Sequence, residues 1–178
     1  MQKLDQRIGA MINLVKLPQN NTFEFNFDQD TDWVRDILIE LNENATDKTP
    51  EEYLKETSLT IEGEIIKKQK PEMGEYLLLK LHMNAHYATE CIRTLKPMKM
   101  DLEVETQICF VDEELAETEL FTDADETYVD SESWNLYFYT KRQIELREVI
   151  HEQLFINYEQ YPVLDADSPL NLGEDTTN

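Results

Sequence analysis

Residues 75–111 read EYLLLKLHMNAHYATECIRTLKPMKMDLEVETQICFV, and the alternation within them decides the fold. In the first half Leu77, Leu79, Leu81, Met83, Ala85 and Tyr87 fall at every second position, with Leu78, Lys80, His82, Asn84 and His86 between them. A period of two is that of a strand with one face in a core and the other in water. The second half repeats it, with Leu102, Val104, Thr106, Ile108 and Phe110 set against Glu103, Glu105 and Gln107. The join, Cys91–Pro97, reads as a tight basic turn. Pro97 has a pre-set φ and no N–H, which suits a connection between strands.

Upstream, Leu59, Ile61, Gly63 and Ile65 open a strand over 59–69 that turns at Lys70–Gly74, predicting a hairpin with the first arm. Gly63 inside that strand marks a bulge or a close backbone approach. The second arm is expected on the far side of the first, giving an antiparallel meander. Thr22–Phe27 alternates with three Phe on one face. Trp33, Val34, Ile37, Leu38 and Leu41 form a helical stripe, predicting a helix from Asp32 to Asn44. Thr49-Pro50-Glu51-Glu52 has the form of a capping box with Pro at the first helical position. The first eighteen residues read as a mildly amphipathic helix or, over Leu14–Leu17, as a first strand.

Downstream, no Lys or Arg occurs from Phe110 through Thr140. Residues 112–132 therefore read as a mobile acidic linker holding one helical turn. Order is expected to resume at Trp134–Tyr139, with Trp134, Leu136 and Phe138 on one face, and a last helix runs from Leu146 to Tyr158. Residues 165–178 form an acidic tail without basic residues, expected to be disordered. The expectation is one α+β domain over 1–164: an antiparallel sheet of five to seven strands, open or barrel-like, flanked by helices.

Charge bounds the function. The 178-residue chain carries 16 Lys and Arg against 38 Asp and Glu, a formal net charge of −22. Such a surface repels phosphate backbones and favours basic partners. No apolar run approaches the roughly 18 residues of a membrane span. The N-terminus alternates charge at Lys3, Asp5 and Arg7 and lacks the apolar core of a signal peptide, so a cytoplasmic location is expected.

Catalytic patterns are missing from the sequence. There is no Gly-x-Ser-x-Gly elbow, no His-Glu-x-x-His, and with 4 Gly no phosphate-cradling loop. Cys91 has Thr94 where a soft-metal partner would stand, and Cys109 lies a strand away. His82 and His86 share a strand face but sit about 13 Å apart, too far for one ion. The reading is a non-enzymatic protein with no cofactor and no metal site.

Cys91-Ile92-Arg93-Thr94-Leu95, followed by Pro97, an alternating strand and Phe110-Val111, resembles the YceD family, the large ribosomal RNA subunit accumulation proteins. That family reads Cys-x-Arg-Cys-Leu at this turn, then a strand and an acidic linker. Ile144-Glu145-Leu146 and Val149-Ile150-His151-Glu152-Gln153-Leu154 look like the family's Ile-Asp-Leu and its helix containing Arg-Glu-x-Leu. The similarity spans roughly Leu14 to Pro162. Thr94 departs from it in place of a second Cys, and the residues after Pro162 lack the Cys of many members' tails. The resemblance implies support of large-subunit ribosomal RNA accumulation and ribosome assembly, through a basic ribosomal protein or pre-ribosomal particle. Arg93, with Lys96 and Lys99 about the turn, is the candidate contact for a phosphate or carboxylate, any direct RNA contact being weak. Glu113, Glu114, Asp123, Asp125, Glu126 and Glu152 are candidates for a basic partner. An acidic protein-binding module or chaperone unrelated to ribosomes, and a small hydrolase, remain open at this stage.

Overall fold

The computed structural model describes residues 8–164. The alternating stretch forms two long antiparallel strands, β4 (Gly74–Glu90) and β5 (Pro97–Asp112), paired from Leu77↔Phe110 to Glu90↔Pro97. Leu77, Leu79, Leu81, Met83, Ala85 and Tyr87 are all buried, together with Val104, Ile108 and Phe110 across the ladder, while Leu102 is half-buried. The intervening turn closes on itself. The Cys91 N–H donates to the Lys96 carbonyl at 2.9 Å, the Leu95 N–H donates to the Cys91 carbonyl at 2.8 Å, and Leu95 takes a left-handed φ of 54°.

Strand β3 (Ser58–Lys70) pairs antiparallel with β4 through a turn whose last residue, Gly74, has φ 63°. Strand β2 (Thr22–Asp28) pairs antiparallel with β3 and forms one edge. Gly63 lies between Phe25 and Leu81 in this register. A Cβ there would stand 2.4 Å from the Phe25 ring and 2.9 Å from the Lys80 carbonyl oxygen, so the glycine marks a close approach.

Beyond β5 the topology departs from a meander. Strand β7 (Glu132–Tyr139) lies beside β5 in parallel, and β6 (Glu126–Val129) pairs antiparallel with β7 at the other edge. The order is β2-β3-β4-β5-β7-β6, an open sheet with two distinct edges, so the barrel-like alternative is set aside. A parallel pair requires the chain to return before it re-enters the sheet. Residues 113–131 make that return, through a 3₁₀ turn at Glu113–Leu115 and then β6. The mobile linker expected over 112–132 is therefore corrected. Phe121 and Val129 are buried with Met73, Tyr76, Leu78, Cys109, Val111, Trp134 and Leu136 in a second apolar cluster, with Leu115 packed against it. A few apolar anchors suffice to bind an otherwise acidic segment to the sheet.

The opposite face carries the main core beneath helices α1 (Asp32–Leu41) and α3 (Leu146–Asn157), whereas α2 (Pro50–Tyr53) buries Tyr53 in a separate small cluster with Ala45 and Ala88. The capping box of α2 is present, with Glu52 accepting from the Thr49 N–H at 3.2 Å. Helix α1 ends at Leu41, the last residue of its stripe, short of the Asn44 expected for it. Asn42 is fully buried there: its amide donates to Thr57 Oγ1 at 3.1 Å and accepts from the Ala88 N–H at 2.8 Å, fastening the helix end to β4.

The start of the chain differs from both expectations for it. Residues 1–7, like the tail 165–178, lie outside the described residues. Strand β1 (Ile12–Asn13) pairs with β8 (Gln143–Ile144), and a 3₁₀ turn follows at Leu14–Lys16. The Asn13 side chain accepts from the Val15 N–H at 2.9 Å, a local bond that competes with continuing helix or strand. Among the described residues no helix is long and apolar enough to cross a membrane.

The core role of β4 predicts that Leu79→Ala costs about 2–5 kcal/mol of unfolding free energy. Gly63→Ala should cost about 1–3 kcal/mol by overpacking, because one of its obstacles is backbone. Urea denaturation of both variants checks this, and an unaltered midpoint for either contradicts the packing described.

Candidate functional site

The face of the sheet that carries the second cluster is apolar around Leu78 and Cys109 and polar along its middle. Beyond Leu78 and Cys109 its outward positions are Lys80, His82 and Asn84 on β4, and Glu103, Glu105 and Gln107 on β5. Strand β3 adds Glu62 and Glu64, and β2 adds Glu24 and Asn26. The ladder arranges them in rows across four strands. One row reads Glu24–Glu64–Lys80–Gln107, and the next Asn26–Glu62–His82–Glu105. They line an open groove of about 1140 Å³.

The rows are acidic. Glu24, Glu62, Glu64, Glu103 and Glu105 are exposed, against Lys80 and His82 as the basic side chains among them. Lys80 Nζ lies 3.9 Å from Glu64 and 5.6 Å from the Trp134 ring centroid. Asn26 donates to Glu62 at 3.2 Å. His82 Nε2 meets Glu103 Oε1 at 2.9 Å, and this hydrogen bond is the leading reason that its pKa is raised. Glu24 and Glu64 are directly opposite, and like charges facing each other across a ladder destabilise it. A face kept acidic at that cost is suited to receiving cations, from ammonium and guanidinium groups to metal ions.

The residues singled out from sequence do not converge. Arg93, Lys96 and Lys99 lie about the β4–β5 turn, where Arg93 is half-buried and Lys99 is engaged by Glu56 at 3.4 Å. Glu113, Glu114, Asp123 and Asp125 are exposed on the return segment, at the opposite end of β5. Sixteen extended residues put roughly 50 Å between those ends. Glu126 sits on the edge strand β6 and accepts from Ser133 at 2.8 Å. Glu152 is exposed on α3, over the other face, where its charge contributes after burial to raising the Tyr137 pKa. Of these, the return-segment carboxylates share the face of the groove. The groove acids themselves belong to no sequence motif. Their signal was the polar half of each strand's alternation, which marks only an outward side until the register aligns four strands.

The basic residues near the first hairpin turn are also engaged. Lys67 is buried, donating to the Leu14 carbonyl at 2.8 Å and pairing with Glu75 at 2.9 Å. Lys68 and Lys70 both reach Asp130, at 3.0 and 3.5 Å.

Cys91 and Cys109 are free thiols in opposite environments. Burial in the second cluster pushes the Cys109 pKa up to about 12. Cys91 is covered too, but by the turn and by residues near 162–164 at the rim of the molecule, where hydrogen bonds outweigh desolvation. The Thr94 side chain, the Leu164 N–H at 3.4 Å and the N–H groups of Thr94 and Arg93 lower its pKa to about 7. The residue replacing the second Cys of the resembled motif thus serves as a hydrogen-bond partner of the first.

A depressed folded-state value means that the thiolate contributes stability above the ordinary thiol pKa, and that this contribution is lost as pH falls through about 7. Ultraviolet thiolate absorbance should therefore show one Cys titrating near pH 7 in the native protein and disappearing in Cys91→Ser. Thr94→Val should move it upward, toward the ordinary range. Two thiols titrating together near 9 would contradict the assignment.

No family model matches this chain, and no curated protein or solved structure matches it either.

Proposed function

We propose that this is a non-enzymatic factor supporting large-subunit ribosomal RNA accumulation, and that it docks a Lys/Arg-rich segment of a ribosomal protein or pre-ribosomal particle on its acidic sheet face. The observation that carries the docking mode is the acidic sheet face: Glu24 on β2, Glu62 and Glu64 on β3, and Glu103 and Glu105 on β5 are exposed, all but Glu103 lining the groove, with Lys80 and His82 as the basic side chains among them. The exposed acids Glu113, Glu114, Asp123 and Asp125 on the return segment extend that field along the same face. The net charge of −22 adds a long-range attraction for basic chains and a repulsion for free RNA. The ribosomal part of the reading rests on the resemblance of the Cys91–Leu95 turn and the Ile144–Leu154 region.

Physical considerations favour a protein partner over naked RNA. Neutralising the charge of a phosphate backbone takes lysines and arginines. Lys67, Lys68, Lys70, Lys80 and Lys99 already face carboxylates. An RNA contact at the turn about Arg93 and Lys96 is minor beside the repulsion from a net charge of −22. A basic segment crossing four strands gains several charge pairs, which raise its association rate and make it sensitive to salt.

Replacing Glu62, Glu64 and Glu105 together by Gln should reduce co-sedimentation with large-subunit precursors at least tenfold, and more than Arg93→Ala does. Deletion of the gene should lower large-subunit relative to small-subunit ribosomal RNA. Unchanged rRNA in the deletion strain removes the ribosomal assignment. Tight binding of the pure protein to naked large-subunit RNA at physiological salt overturns the docking mode.

A further inference from the structure

We propose that His82, Glu103 and Glu105 form a binding site for a first-row divalent transition ion, of the Zn²⁺ or Mn²⁺ class, on the open face of the sheet. One donor atom from each of the three lies within 4.8 Å of the others. The ladder brings them together: His82 and Glu105 are cross-strand partners, and Glu103 is two residues along β5 on the same face. His82 Nε2 and Glu103 Oε1 are 2.9 Å apart. Ligands around an ion with bonds near 2.1 Å stand about 3.3 Å from each other, so a small side-chain rotation exchanges this hydrogen bond for two metal bonds.

The surroundings fit the same reading. The far ring nitrogen, His82 Nδ1, faces Glu62 Oε2 at 4.0 Å. A carboxylate behind a liganding imidazole is the usual outer partner that orients the ring. The Asn84 amide lies 3.3 Å from Nε2 and can turn its oxygen toward the same point. Glu62, Glu103 and Glu105 place three negative charges about one imidazole, and among the described residues no lysine is within ion-pair reach of Glu103 or Glu105. Lys80 serves Glu64, one row away. A dication neutralises a concentration of charge that the protein itself leaves in place.

The donor set selects the ion. One imidazole with two carboxylates and no sulfur suits borderline divalent ions, whereas Ca²⁺ and Mg²⁺ prefer oxygen alone and Cu⁺ prefers sulfur. Water fills the remaining positions, since both glutamates are exposed. The other histidines do not share this arrangement. His86 faces Asp101 at 2.5 Å, and His151 on α3 faces Glu40 at 2.6 Å. This inference does not rest on the docking of a basic chain, and either stands if the other fails.

The test uses the full chain, stripped of metal and titrated with Zn²⁺ or Mn²⁺ alone by calorimetry. One saturable site is expected, at least tenfold weaker in His82→Ala, about tenfold weaker in Glu62→Gln, and unchanged in His86→Ala. The wild-type protein supplies a readout without any variant: substoichiometric Mn²⁺ should broaden the His82 ring signals before those of His86 and His151. Uptake that does not saturate, affinity indifferent to His82→Ala, or equal broadening of all three histidines overturns the site and leaves only diffuse attraction of cations to an acidic surface.

Discussion

The structure depends on the double pairing of β4. This strand is hydrogen-bonded to β3 from Ser58↔His86 to Lys70↔Gly74 and to β5 from Leu77↔Phe110 to Glu90↔Pro97, so both of its edges are used along most of its length. Side chains alternate with a period of two, and a slip of one residue would reverse every one of them. Lys80, His82 and His86 would then enter the core, and Leu79, Leu81 and Met83 would face water. Burial of one face therefore selects a single register. That register in turn sets the surface on which the helices lie and the rows of carboxylates on the opposite side.

The two faces are finished differently. Helices α1 and α3 cover the main core continuously, whereas the opposite face is closed only where Leu78, Cys109, Val111, Trp134 and Leu136 leave it apolar. The return segment meets that need with Phe121 and Val129 and leaves its acids outside. A partly buried ion cluster, with Lys67 and Glu75 covered and Arg142 exposed, joins the N-terminal segment to the sheet end. Lys67 and Arg142 both reach Glu75. Burial acts to raise the Glu75 carboxyl, but hydrogen bonds from Lys67 and Arg142 outweigh it and hold the group below its ordinary pKa. Such a cluster fixes geometry more than it adds stability, since desolvation offsets much of the attraction.

Where the sheet is uncovered, its chemistry is that of its polar alternates. Exposed carboxylates on neighbouring strands repel one another, and a cationic partner relieves that repulsion. A basic chain laid across the strands and an ion held by His82, Glu103 and Glu105 are two answers to the same electrostatic condition. They differ in scale: the first uses the summed field of the face, the second a single cluster of donors. The turn at Cys91–Lys96, which carries the family resemblance, lies at the sheet's end and has its own hydrogen-bonded thiol.

In sequence Gly63 is compatible with either a bulge or a close approach, and the Phe25 ring and the Lys80 carbonyl settle the choice. The chain's own pattern was enough for the β3–β4–β5 meander, the capping box of α2 and the stripes of α1 and α3. These follow from periodicity and local backbone chemistry, which neighbouring residues carry among themselves. The parallel placement of β7 and the order of the segment before it depend on what covers Leu78 and Cys109, and that is a property of the assembled sheet. The end of α1 likewise depends on Asn42 finding Thr57 and Ala88, which are distant in sequence. The candidate site divides in the same way. Alternation marked Glu103, Glu105 and His82 as facing outward, and spacing along one strand argued against joining His82 to His86. Only cross-strand register could bring His82 to Glu103, Glu105 and Glu62, because the donors lie on three strands and their proximity is created by hydrogen bonds between them.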